Sequence, residues 1–144
     1  MNLYKLFVSI STIILFIICH QSLNTEAAVT NVNSSIGAHP GKAVYDTYCL
    51  TCHQADGYGV PGLNPPLVKT EWVLGDKTRL IHVLLKGLNT PLNINGQTYR
   101  NPMPAHAFLT DTEIAQVLTY VRSNFGNKAS VVTVDEVKLA RATK

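Results

Sequence analysis

Between Thr78 and Leu88 the apolar residues fall at Leu80, Ile81, Leu84, Leu85 and Leu88, the three-and-four spacing of a helix with one broad apolar face. Gly87 offers the stop. A second face runs through Ile114, Val117, Leu118, Val121 and Phe125, and is expected to close near Gly126. Thr110-Asp111-Thr112-Glu113 opens it as a capping box, with the threonine oxygen and the glutamate each taking a free backbone N–H. Pro40, tolerated in a first turn, opens a third helix through Cys49. On that helix Gly41, Tyr45 and Cys49 share one face, and the glycine would let another helix approach closely.

The intervening stretches read differently. Gln54 to Gly62 and Asn64-Pro65-Pro66-Leu67 are loops by composition, and Asn95-Gly96 marks a tight hairpin turn. Beyond Asn127 the pattern weakens. Val131, Val132 and Val134 suggest an extended piece, and Val137 to Arg141 a short helical turn.

The N-terminus carries the pattern of an export signal. Lys5 precedes the apolar stretch Leu6 to Cys19, and Thr25-Glu26-Ala27 supplies a small residue for cleavage. That stretch is shorter than the roughly 20 residues a membrane span needs. Residues 1–27 are therefore read as a signal peptide, with an uncleaved anchor as the alternative. A lipid-anchored Cys19 is disfavoured by bulky Ile18. Residues 28–38 form a polar leader, and the remainder suits one domain. Loss of Lys5 and Glu26 with the signal leaves the formal charge at +3, which does not suggest nucleic acid as a partner.

Chemistry concentrates at Cys49-Leu50-Thr51-Cys52-His53. A Cys-x-x-Cys-His run is the attachment signature of a c-type haem: two thiols join the ring's vinyl groups, and the next imidazole is placed to ligate iron. A disulfide between the two cysteines is the open alternative in an oxidising compartment. Zinc lacks a second cysteine pair, and a thioredoxin-like pair lacks a surrounding βαβ pattern. A proline carbonyl from Pro65-Pro66 could accept from the free ring nitrogen of His53 and fix its orientation. Met103, held between Pro102 and Pro104, is the one methionine besides Met1. A methionine ordinarily fills a core gap, but an attached haem with one histidine needs a sixth ligand, and a thioether is a soft donor that suits it. His106 is the local competitor and His39 a distant one. His82 is read as a packed or surface residue. Lys42, Lys69, Lys77 and Lys86 would either belong to a docking rim or be solvated side chains.

Taken in order, Cys49-x-x-Cys52-His53, Asn64-Pro65-Pro66-Leu67, Met103-Pro104 and Leu118-x-Tyr120-Val121 resemble a class I, single-haem cytochrome c. The resemblance covers about residues 37–127. It implies an all-α cytochrome c fold of about three to five helices wrapped around one covalently attached haem c, with a domain over 39–127 and a tail over 128–144 packed on it or extending from it. It implies crossed helices with Gly41 at the close contact, His53 and Met103 as iron ligands, Pro65 orienting His53, and Leu67 and Trp72 lining the pocket. More narrowly, the stretch from Trp72 through the tail is similar to small cytochromes serving periplasmic dehydrogenases or copper nitrite reductases. The implied function is one-electron transfer between periplasmic or membrane redox partners (a dehydrogenase, reductase or oxidase), without enzymatic chemistry. The membrane itself is a partner only if the N-terminal segment stays uncut. The alternatives are a haem enzyme or gas sensor with a labile sixth ligand, and a permanently bound dehydrogenase subunit.

Overall fold

The structure is a computed structural model that describes residues 39–143; the signal and leader expected over 1–38 lie outside the described residues. Six helices and one hairpin follow in order: α1 (Pro40–Tyr48), α2 (Leu50–His53), α3 (Glu71–Leu74), α4 (Lys77–Lys86), β1 (Leu92–Ile94), β2 (Gln97–Tyr99), α5 (Asp111–Ser123) and α6 (Val134–Ala142). The hairpin pairs Leu92 with Tyr99 and Ile94 with Gln97. Asn95 and Gly96 at its tip have φ of 53° and 80°, as a tight two-residue turn requires. The helix count exceeds three to five because α2 and α3 are single turns and because the tail forms a full helix.

The first contact that organises the domain is between α1 and α5. Tyr45, Ile114, Val117, Leu118 and Val121 are buried there. A Cβ on Gly41 would run into the Gln116 carbonyl and lie 2.8 Å from the Tyr120 Cβ, so the absent side chain is what lets the two backbones meet. Tyr120 extends the contact outward, its ring 5.4 Å from both Tyr45 and His39.

Two expectations for the C-terminal part need correction. Helix α5 ends at Ser123, so Phe125 is not its last apolar residue. Phe125 takes φ 56° beyond the helix and turns its ring onto Gly57 and Tyr45. Asn127 locks this exit: its side chain donates to the Val121 and Leu67 carbonyls and accepts from the Lys69 N–H. The tail, expected as a short turn, is the nine-residue α6, opened by a second capping box between Thr133 and Glu136.

That tail packs onto the domain. Val137 and Ala140 are buried, and the His82 ring bonds the Ala140 carbonyl at 3.1 Å. The Thr119 hydroxyl both accepts from and donates to the Val132 backbone. Buried Arg122 donates to Val73, Gly75 and Ser130 carbonyls, joining α3, α5 and the start of the tail. Lys77 pairs with Glu136, and Arg141 with Asp111 at 2.8 Å.

The Lys77 ammonium and then the Thr133 N–H hold the Glu136 carboxyl below its ordinary 4.5. A depressed carboxyl contributes stability above its unfolded pKa and loses it as pH falls through the lower folded value. On acidification below about pH 4.5, α6 is therefore expected to lose amide-exchange protection before α5. Loss of both together would show that the Lys77–Glu136 pair does not anchor the tail.

Candidate functional site

Three segments of unrelated sequence converge on one cavity. The first is the α1–α2 junction. The Cys49 N–H still bonds the Tyr45 carbonyl, but the chain then bends and starts the single turn that carries Cys52 and His53. Both thiols are free. Burial, and after it the neighbouring Cys52, push the Cys49 thiol up to about 11. The Tyr45 hydroxyl donates to the Gln54 carbonyl at 2.7 Å and ties down the exit of the turn.

The second segment is the loop from Gly57 to Leu67. Gly57 and Gly59 adopt φ of 74° and 66°. A Cβ at Gly57 would lie 2.6 Å from the Phe125 ring, and one at Gly59 would strike the Asn64 carbonyl. The Leu67 N–H closes the loop onto the Gly57 carbonyl at 2.7 Å. Held this way, the loop presents the Pro65 carbonyl to His53, whose Nδ1–H donates to it at 3.0 Å. It is Pro65, not Pro66, that makes this bond. The tautomer it selects leaves Nε2 with a free lone pair. His53 is only 9 % exposed, and burial lowers its pKa against the opposing effect of the Pro65 bond, so the ring stays neutral and able to ligate.

The third segment is the strap 101–106. Leu88 and Met103 exchange backbone hydrogen bonds of 2.9 Å, and the His106 N–H bonds the Leu84 carbonyl at 2.7 Å. Gly87 makes room for this: a Cβ there would sit 2.5 Å from the Met103 carbonyl oxygen. The strap is thereby stitched to the end of α4, and Met103 is carried to the wall of the cavity that His53 also lines.

The cavity holds about 1160 Å³ of space, counting its open mouth. Cys49, Cys52, His53, Pro65, Leu67, Trp72 and Met103, the residues singled out in the sequence, all line it. His106 lines it too, with its Nδ1 buried and without a hydrogen-bond partner. His39 does not; it lies against Tyr120. Leu80, Leu84, Val117, Leu118 and Tyr99 complete much of the wall. Periodicity places these residues in a core but cannot tell a face packed on protein from one packed on a ligand. No lining residue is Asp, Glu, Lys or Arg. A flat apolar ring fits such a wall. Two thiols at its edge, one neutral imidazole and one thioether are the donors that a covalently attached haem requires. The residues present fit the group.

Residues 38–125 match the family model described as Cytochrome c. A cytochrome c-552 of Thermus thermophilus is 37% identical over 113 residues, covering 72% of this chain and 86% of the relative. The fructose dehydrogenase cytochrome subunit of Gluconobacter japonicus is 36% identical over 137 residues, which is 85% of this chain but 27% of the relative. The gluconate 2-dehydrogenase cytochrome c subunit of Pantoea cypripedii is 33% identical over 106 residues, 70% of this chain and 24% of the relative. The chain thus spans about a quarter of each dehydrogenase subunit.

Proposed function

The chain belongs to the cytochrome c family, and from that premise we propose that it carries single electrons on one haem c, which Cys49 and Cys52 would hold covalently and whose iron His53 and Met103 would ligate. Once bound, that group would supply the one-electron redox chemistry. The protein's part is to hold and tune it. Pro65 orients His53 and raises its basicity through Nδ1. The Leu88 bridge and the flanking prolines hold the Met103 loop in one geometry. Ligation by the Met103 thioether, rather than by a second histidine, would favour the reduced state and give a comparatively high potential. Leu67, Trp72 and the helical wall exclude water and lower the local dielectric.

The observation that carries this reading is that His53 and Met103, fifty residues apart in sequence, line one uncharged cavity beside two free thiols. The test is to titrate the reduced haem-loaded protein with carbon monoxide. With both axial positions filled by protein, binding should be slow and incomplete. Rapid, complete binding would move an enzyme or gas sensor to the front.

We also read the N-terminal segment as an export signal, which places the carrier outside the cytoplasm, where c-type haem is attached. Among the described residues no helix is long and apolar enough to cross a membrane. The dehydrogenase subunits among the relatives support a sugar- or alcohol-oxidising complex as a partner, either transient or permanent. The stretches that frame the cavity (47–55, 57–68 and 101–110) contain no charged residue apart from exposed Asp56 between the first two and Lys69 and Arg100 at their borders, and Tyr48, Leu63 and Phe108 on them are exposed. Lys42 and Lys77 pair with Asp46 and Glu136, which removes two of the four lysines from a docking rim and leaves exposed Lys69 and Lys86. Electron self-exchange should accordingly change by less than about threefold between low and high salt, where charge steering alters rates 10- to 1000-fold. A steep salt dependence would restore the lysine rim.

A further inference from the structure

Trp72 is the sole tryptophan of the chain and lines the cavity from α3, a helix of one turn. A single turn has little stability of its own, so the indole needs an outside support. Arg79 supplies one. Its guanidinium carbon lies 4.4 Å from the centroid of the Trp72 ring. Nη2 donates to the Glu71 carbonyl at 3.2 Å and Nη1 to the Glu71 carboxylate at 3.3 Å, so the group is fixed at both ends of its fork. The Arg79 backbone is fixed as well, its N–H bonding the N-cap Asp76 at 2.6 Å.

Two details argue that the stack is built rather than incidental. The Arg79 Nε is buried and has no hydrogen-bond partner. An N–H donor in that position needs compensation, and the face of an indole provides it through the cation–π attraction. Gly75, between the two residues, leaves the passage: a Cβ there would lie 2.6 Å from the Glu71 carbonyl oxygen and 3.2 Å from Nη2. Trp72 belongs to the cavity wall and Arg79 does not, so the guanidinium stacks on the ring without entering the cavity.

We propose that Arg79 is a positioning residue for the haem site: it clamps Trp72 against the cavity and sets its guanidinium, paired with the exposed Glu71 carboxylate, against a ring of an otherwise uncharged wall. The inference rests on the haem-carrier reading. A cation there disfavours the more positive Fe(III) state and so raises the potential. Its two roles separate by substitution, because lysine keeps the charge but lacks the planar stack, whereas glutamine loses both.

The experiment compares the haem-loaded native protein with Arg79→Lys and Arg79→Gln. It reads the midpoint potential and the single indole N–H resonance of the reduced protein. Both variants are expected to shift the indole resonance. The potential should fall in Arg79→Gln and stay closer to native in Arg79→Lys. An unmoved indole resonance in Arg79→Gln would overturn the clamp, and so would variants that lose stability alone. Equal potentials in all three proteins would overturn the charge. A native reduced protein that is not low-spin would sink the axial-ligand reading alone; the change in indole resonance between native and variant still decides Arg79.

Discussion

On the proposed ligation, replacing Met103 by alanine should abolish the weak far-red sulfur-to-iron band of the oxidised protein, lower the midpoint potential and open the reduced iron to carbon monoxide. The strap itself should survive, because it is held by backbone bonds between Leu88 and Met103 and between His106 and Leu84. Alanine leaves those bonds in place and removes only the thioether. The potential should drop because axial ligation is the strongest control the protein has, spanning about 0.8 V across haem proteins. His106 is the expected replacement ligand. Its buried, unpartnered Nδ1 lies on the same wall, three residues along the same strap. A low-spin spectrum without the sulfur band in Met103→Ala, lost again in Met103→Ala/His106→Ala, would identify the imidazole as the replacement. A Met103→Ala spectrum identical to native would remove Met103 from the iron altogether.

Gly41→Ala should be strongly destabilising, because no side chain fits where α1 crosses α5. Overpacking ordinarily costs about 1–3 kcal/mol when side chains can move aside. Here the new carbon meets the Gln116 backbone carbonyl, held in the middle of α5, so the cost belongs at about 3 kcal/mol or above. For a domain of this size that is a drop in Tm of roughly 10–20 °C. Gly96→Ala is the control. It has open space around its Cβ and only a φ of 80° against it, so about 1 kcal/mol is expected. A haem-loaded Gly41→Ala protein melting within a few degrees of native would mean that α1 can slide on α5, and that their crossing does not organise the fold.

What could be read in the chain, and what could not, follows from the range of the interactions. Cys49, Cys52 and His53 are legible because attachment to one ring imposes a spacing that must be met within five consecutive residues. Helix starts are legible for a similar reason: a capping box closes over four residues, at Thr110 and again at Thr133. The second box lies beneath a run of valines whose β-preference masks it, which is why the tail looks extended by composition and is helical by packing.

The sequence by itself determined the main helices and the hairpin, and it singled out Cys49, Cys52, His53 and Met103, which folding brings to one cavity. The tertiary structure decided the rest. Pro65 rather than Pro66 faces His53 because glycine-turned backbone and the Phe125 ring set the loop's direction. Phe125 leaves the helical period because Asn127 captures carbonyls from two distant segments. Lys77 is engaged with the tail rather than with a partner, and Arg79 stacks on Trp72. Each of these depends on a backbone atom or ring brought close by folding, and no periodicity along the chain encodes which one arrives.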